Sequence, residues 1–375
     1  MFGRRFTLFR LMGFAVRADA SWFLVILLVT WSLATRYFPG VYEGLTTRTY
    51  WLMALVGAAV LFLSIIAHEF SHSLVARRFG IPMKGITLFM FGGVAEMDDE
   101  PPSAKAELLM AIAGPIASVV IGGMFLGLVF AASRLGIRVE VIAVLSYVGM
   151  TNFVLAIFNL LPAFPLDGGR VLRALVWWKS GNIRRATRIA SNAGTGFGWL
   201  LVILGVLALI QGDVVGGIWL FLIGTFVRHA ASMSYHQVVL REMLSGRPVH
   251  RFMNPTPVAV PRAITVAELV DEYIYRYHHS LFPVVDGDRL VGCVTTQQVK
   301  QLPREEWSQQ TVGAIANACS TDNSISPNAD AMQALVQMSR RQASHLMVVE
   351  GDRLVGILGA RDLLRLLSEK MELES

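Results

Sequence analysis

Six long apolar runs lie in the first 233 residues of this 375-residue chain. An apolar run of about 20 residues crosses a bilayer as a helix, because lipid offers the backbone no hydrogen-bond partners. With 54% hydrophobic and 16% charged residues, the chain is too apolar for an ordinary soluble enzyme of its size. We predict about six transmembrane helices in a lipid bilayer, near Trp22–Ala34, Trp51–Ala76, Leu108–Ala132, Val141–Leu161, Phe197–Ile210 and Val214–Val227.

The second apolar run contains His68-Glu69-Phe70-Ser71-His72, a metal-binding pattern at a depth where lipid is expected. On a helix, His68 and His72 lie about 40° apart around the axis and can direct their ring nitrogens at one cation. Glu69 is then placed to act on a water bound to that cation. A chance occurrence is the alternative, but an ionisable group inside a span costs ~2.5 kcal/mol or more and is normally kept for function. The pattern therefore indicates a metal site, with zinc as the expected ion.

A third ligand is expected among the acids of the apolar part. Asp167 and Glu69 are the two acids well inside apolar sequence, whereas the others, Glu107 among them, fall in loops or at span ends. Asp167 follows Pro162 and Pro165 and precedes two glycines, so the helix must be interrupted there. Broken backbone at membrane depth is tolerated where protein covers it or where it lines a polar cavity. An exposed Asp in a loop at the end of a span is the alternative.

The two motifs, H-E-x-x-H and N-x-x-P-x-x-P-L-D-G-G, resemble those of the site-2 protease family of intramembrane zinc metalloproteases, peptidase M50 type. The resemblance covers residues up to about Met233. It implies one Zn2+ per chain, held by His68, His72 and Asp167, with Glu69 as the catalytic acid/base. It also implies that Asn159 lies beside the active site and helps to hold the substrate or the developing oxyanion.

The activity implied by this resemblance is hydrolysis of peptide bonds in or near the transmembrane segment of a membrane-anchored protein. An anti-sigma factor and a membrane-tethered precursor are examples of such a substrate. The rival interpretation is a metal transporter or channel gated by the C-terminal part of the chain, in which the buried His and Asp residues bind cargo.

Residues Lys84 to Glu96 resemble the membrane-associated β-hairpin that follows the metal-binding helix in this family. An amphipathic loop is the alternative. Because an extended substrate can add a strand to a sheet edge, we expect substrate contacts at Phe89, Phe91, Gly92 and Gly93. Gly114-Pro115 in the third apolar run is interpreted as a kink or a close helix contact.

The C-terminal part contains an internal repeat with a constant offset of 64 residues. Segments 280–292 and 344–356 align, and Gly-Asp-Arg-Leu-Val-Gly is identical in both. The residue pattern of each copy predicts a strand, a Gly-Asp turn and a second strand, with a helix before and after them. The repeat resembles a tandem pair of CBS domains, a cytosolic α/β module. We predict a transmembrane metalloprotease domain at 1–233, a linker at 234–248, and CBS domains at 249–305 and 306–370.

Two interpretations of the CBS pair stay open. In CBS domains a Thr or Ser followed three residues later by an Asp often contacts the phosphate and ribose of an adenine nucleotide. The first copy has Thr295 with Gln298, and the second has Gly359 with Asp362, so each copy keeps one half of this signature. AMP or ATP binding at Thr295 or Asp362 is one interpretation, and a dimerisation or gating module without a ligand is the other. Since tandem CBS pairs often dimerise, we expect a homodimer.

Basic residues predict the orientation of the chain in the cell membrane. Twelve Lys and Arg residues flank the spans on one side, against four on the other. The positive-inside rule therefore places the N-terminus and the CBS domains in the cytoplasm. These flanks also explain the net charge of +6, so we expect no nucleic-acid partner.

Overall fold

A computed structural model describes residues 5–81, 83–90, 92–97, 100–320, 322–341, 343–363 and 365. The chain divides into two compact units, with the boundary between Val238 and Val239.

Six helices among the described residues are long and apolar enough to span a membrane, which confirms the predicted multi-pass fold. The first span, Ala20–Val41, consists of α1 (Ala20–Ser32), a π-helical stretch and α2 (Phe38–Val41). The other spans are Thr47–Arg78 (α3), Ala104–Arg134 (α4), Val139–Asn159 (α5), Ile183–Ile210 (α7) and Val214–Leu244 (α8), and a shorter helix, Asp167–Ser180 (α6), precedes α7. Because α8 continues to Leu244, residues 234–244 of the predicted linker are helical.

Polar side chains cap the helices that build the site. A helix leaves its first backbone N–H groups without partners, and a side-chain oxygen just before the helix can accept one of them. Thr46 accepts from the Thr49 N–H at the start of α3, at 3.3 Å. Ser103 accepts from the Ala106 N–H at the start of α4, at 3.2 Å. These caps explain why both helices begin outside the apolar runs that the sequence shows.

A four-stranded sheet packs against α3 in the order β1-β2-β3-β4. Its strands are Arg5–Leu11 (β1), Phe14–Asp19 (β2), Met83–Phe89 (β3) and Gly92–Met97 (β4). β2 and β3 are parallel, and the other neighbours are antiparallel. β3 and β4 form the predicted hairpin. β1 and β2 have no counterpart among the predicted elements. The sequence of β1 lacks strict alternation of polar and apolar residues.

The sheet is fixed over α3 by a small apolar core. Val16, Ile86 and Leu88 from the sheet are buried together with Ile66, two residues before His68. β2 can approach β3 closely because Gly85 has a φ of +145° and no side chain to strike the Ala15 carbonyl. The hairpin is thereby held beside the helix that carries the metal-binding motif.

The second unit is built on one seven-stranded sheet of order β5-β6-β7-β11-β10-β9, with β8 paired to β7. The strands are Val260–Pro261 (β5), Leu281–Asp286 (β6), Arg289–Thr295 (β7), Asn317–Ala318 (β8), Ser324–Ile325 (β9), His345–Glu350 (β10) and Arg353–Gly359 (β11). Its α-helices include Val266–Glu268 (α9), Tyr275–Tyr277 (α10), Thr296–Gln301 (α11), Val312–Ile315 (α12) and Ala331–Arg341 (α13). Arg289 pairs with its repeat equivalent Arg353 where β7 meets β11, so the two copies are related by a pseudo-twofold axis.

Candidate metal centre

Three ligand atoms from two distant segments meet beside α3. His68 Nε2 and His72 Nε2 are 3.2 Å apart, and they lie 3.1 and 3.2 Å from Asp167 Oδ2. The two imidazoles are buried, and Asp167 is half-buried. Among the described residues, this is the one group of three or more His, Cys, Asp or Glu side chains that could hold a metal ion.

The dimensions and chemistry of this triangle fit zinc. Zinc ligands at ~2.0–2.1 Å from the ion stand ~3.3–3.4 Å apart at the corners of a tetrahedron. His72 Nδ1 lies 2.7 Å from the Met110 carbonyl oxygen, which can only accept, so Nδ1 carries the proton. In the neutral ring, Nε2 then presents its lone pair to the Asp167 carboxylate at 3.2 Å. Two facing acceptors so close in a buried place suit a cation held between them.

Helix α4 supplies the surroundings of both imidazoles. His68 Nδ1 is hydrogen-bonded to Ser118 Oγ at 2.9 Å, and both groups are buried. A Cβ placed on Gly114 would lie 2.6 Å from His68 Nε2 and closer still to His72 Nε2. Gly114, interpreted from the sequence as a kink or helix contact, therefore leaves open the space on which the ring nitrogens converge. No sequence signal marked Met110 or Ser118.

Asp167 is placed by the start of α6 and the loop before it. Asp167 is the first residue of that helix, and Leu166 is its N-cap. The two glycines that follow let the helix begin directly against the loop backbone. A Cβ on Gly169 would come within 2.6 Å of the Ala163 carbonyl carbon, and one on Gly168 would overlap the Leu160 carbonyl. The Gly-Gly pair of the motif therefore fits a close approach between helix and loop.

A buried ion pair joins α6 to α4 less than two turns beyond Asp167. Arg173 Nε donates to Glu107 Oε1 at 2.6 Å, and a terminal nitrogen of the same guanidinium contacts the same oxygen. Arg170 Nε lies 4.0 Å from that oxygen. Glu107 lies in the first turn of α4, at the end of the span as the sequence indicates, and it is 0% exposed. Sequence position alone could not reveal the partner on α6.

The predicted hairpin lies against the predicted catalytic acid/base. A Cβ on Gly93 would lie 2.9 Å from Glu69 Cδ and 3.1 Å from Glu69 Oε1, so the β4 backbone covers this carboxylate. Gly92 is paired with Phe89 across the turn, and the centroids of the Phe89 and Phe226 rings are 6.0 Å apart. Phe91 lies outside the described residues. Asn159 is the last residue of α5, directly before the loop that leads to Asp167.

The two predicted nucleotide-binding positions have different surroundings. Thr295 and Gln298 form a capping box at the start of α11, in which Thr295 Oγ1 donates to Gln298 Oε1 at 2.8 Å. In the second copy, Asp362 Oδ2 lies 2.5 Å from the position of a Cβ on Gly359, and His345 is close by. Burial lowers the pKa of His345, and the Asp362 carboxylate opposes this effect.

Known proteins match almost the whole chain. The protein sll0528 of Synechocystis sp., whose name describes a zinc metalloprotease, is 33% identical over 362 residues, which are 95% of this chain and 94% of that protein. The sequence profile of peptidase family M50 matches residues 56–138 and 134–204. The chain belongs to peptidase family M50.

Other known proteins are similar to this chain. Rip3 of Mycobacterium tuberculosis, also named as a zinc metalloprotease, is 34% identical over 364 residues, which are 96% of this chain and 91% of that protein. A solved site-2 protease from Methanocaldococcus jannaschii is 27% identical with a TM-score of 0.43, over 62% of this chain and 95% of its own. The CBS domain profile matches residues 249–303 and 312–369. The predicted metalloprotease of site-2 type with a CBS pair is thus confirmed, and the comparisons give no support to a transporter or channel over the protease.

Proposed function

We propose that this M50 peptidase hydrolyses a peptide bond in or near the transmembrane segment of a membrane-anchored protein, such as an anti-sigma factor or a membrane-tethered precursor. His68, His72 and Asp167 hold one Zn2+ per chain, and Glu69 is the acid/base. The observation that carries the proposal is the nearly equilateral triangle of ligand atoms, 3.1–3.2 Å on a side, beside Glu69.

The chemistry divides between the ion and the side chains. When bound, zinc supplies a Lewis acid that polarises the scissile carbonyl and makes water a better nucleophile. Glu69 takes a proton from the attacking water and returns it to the leaving amine. The Met110 carbonyl oxygen keeps the proton of His72 on Nδ1, at 2.7 Å. Asn159, by analogy with the family motif, assists in holding the substrate or the oxyanion.

The position of β4 supports substrate binding by strand addition. A transmembrane helix hides its carbonyls in internal hydrogen bonds, so the substrate must unwind before attack. β4 is the last strand in the order of the described sheet, and its Gly93 lies over Glu69. An extended substrate paired with this edge near Phe89, Gly92 and Gly93 therefore passes beside the acid/base. Proline scanning through the hairpin should abolish cleavage in protein that stays folded.

The central test compares Glu69→Gln with wild type during co-expression with candidate single-span membrane proteins. The processed fragment should disappear in Glu69→Gln, while purified variant protein still contains zinc. Glu140→Gln is the matched control, because this carboxylate pairs with the exposed Arg138 before α5. Metal flux in liposomes that survives Glu69→Gln, without cleavage of any substrate by the wild type, would favour the transporter.

The CBS pair is proposed to bind an adenine nucleotide, AMP or ATP, in its second copy and so to regulate the protease. The support is that Thr295 and Gln298 satisfy each other in the first copy, whereas Gly359 leaves Asp362 without a hydroxyl at the equivalent position. Calorimetric titration with AMP and ATP should show binding that Asp362→Asn weakens and Thr295→Val leaves unchanged. Absence of binding in the wild type would favour a ligand-free dimerisation or gating module.

The proposed orientation puts the N-terminus and the CBS domains in the cytoplasm, on the strength of the basic flanks. Cys319 is exposed and Cys293 is buried, so Cys319 serves as a natural probe. A membrane-impermeant thiol reagent should label Cys319 only after the cells are permeabilised. Homodimerisation is proposed from the CBS pair, and crosslinking in membranes tests it.

A further inference from the structure

Four residues on one side of α4 contact the metal centre or the buried ion pair beside it. Glu107, Met110, Gly114 and Ser118 follow one another at spacings of three, four and four residues, which places them within about 80° around the helix. All four are buried. We call these four residues the α4 face.

We propose that the α4 face sets the geometry of the metal centre, and that Ser118 and Glu107 are positioning residues for His68 and Asp167. This inference rests on the proposed zinc site and adds to it the groups that orient its ligands. Met110 belongs to the face through its backbone carbonyl, and Gly114 through the space it leaves. Ser118 and Glu107 are therefore the members whose side chains can be tested.

Ser118 directs its hydroxyl to another helix. Several buried hydroxyls in this chain bond the carbonyl four residues back in their own helix, as Ser64 does to Val60 at 3.0 Å. Ser118 Oγ instead lies 2.9 Å from Nδ1 of His68, on α3. When Nδ1–H donates to this oxygen, the lone pair of His68 Nε2 faces His72 and Asp167. Partners of this kind fix the tautomer and the ring orientation of a metal-binding histidine.

Glu107 acts on the third ligand through α6. Its carboxylate accepts from Arg173, six residues after Asp167 in the same helix, and both side chains are at most 6% exposed. A buried charge that loses its partner is strongly unfavourable, so the pair holds α6 against α4. Since Asp167 is the first residue of α6, the pair sets how far the Asp167 carboxylate stands from the two imidazoles.

The experiment measures zinc affinity of purified full-length protein in detergent, by competition with a chelator, together with the melting temperature of the metal-free protein. Ser118→Ala and Glu107→Gln should each weaken zinc binding by about 10-fold to 100-fold, the range known for groups that orient metal ligands. Ser118→Thr, which keeps the hydroxyl, should retain most of the affinity. Ser64→Ala and Glu140→Gln are matched controls that should bind zinc as the wild type does.

The outcomes separate this inference from the proposed function. If the wild type binds zinc and both folded variants bind it equally well, the inference is overturned while the protease stands. A fall in melting temperature without a change in zinc affinity also overturns it, because the groups would then be structural only. If the wild type itself binds no zinc, the proposed function fails. Should one variant not fold, the other decides, since the two residues act on different ligands.

Discussion

Replacing Gly114 by alanine is a direct test of the space at the metal centre. The added Cβ would lie 2.6 Å from His68 Nε2 and closer to His72 Nε2, whereas unbonded heavy atoms normally stay about 3.5 Å apart. Both rings must therefore retreat by about 1 Å from the positions that fit zinc. Loss of a group that orients a metal ligand costs about 10-fold to 100-fold in metal affinity. Since this change displaces both imidazole ligands, we expect zinc affinity to fall at least ~10²-fold, or ~2.8 kcal/mol.

Zinc affinity of the Gly114→Ala protein is measured by competition with a chelator, and cleavage of a co-expressed substrate is followed in parallel. Gly123→Ala, on the same helix, is the matched control, because a Cβ there meets nothing within 4 Å. Alanine is the better helix former at both positions, so helix propensity cannot explain a loss. Wild-type zinc affinity in Gly114→Ala would refute the geometry, and an equal loss in Gly123→Ala would show that helix packing is responsible.

Three further predictions concern the acid/base, the ion and the second unit. Gly93→Ala places a methyl group 2.9 Å from Glu69 Cδ, so cleavage should fall about 10²-fold with zinc still bound; unchanged cleavage would contradict the position of Glu69 beneath β4. Chelation of zinc should abolish cleavage and lower the melting temperature, since a ligand of the native state stabilises it, and added zinc should restore both; activity in metal-free protein would speak against the mechanism. Burial lowers the pKa of His345 in the folded protein, so below about pH 6.5 the unfolded chain binds more protons than the folded one. The second unit should therefore lose stability as the pH falls from there towards the pKa of His345 in the folded state. The protection of β10 amides against hydrogen exchange should decrease over this pH range in the wild type. It should not decrease in this way in His345→Leu, which introduces the residue found at the repeat-equivalent position 281.

Apolar runs and turn signals in the sequence were sufficient to predict several helices and strands of the fold. Helices α3 and α4 contain their predicted spans, and α5 contains all but the last two residues of its own, because runs of this apolarity can satisfy their backbone in lipid only as helices. The 64-residue repeat predicts β6, β7, β10 and β11, since each copy carries its own turn signal. β1 was not predictable in this way, because an edge strand with apolar side chains on both faces has no period to detect.

The sequence alone determined the chemistry that this protein carries: two histidines and a glutamate on one turn of a membrane helix, and an aspartate where prolines interrupt a later one. These features are local, so residue type and spacing are enough to reveal them. Their surroundings depend on how the helices pack. Gly114, Ser118 and Glu107 meet His68 and Arg173 through helix packing across more than 40 residues, and no periodic pattern in the chain records which helix faces which.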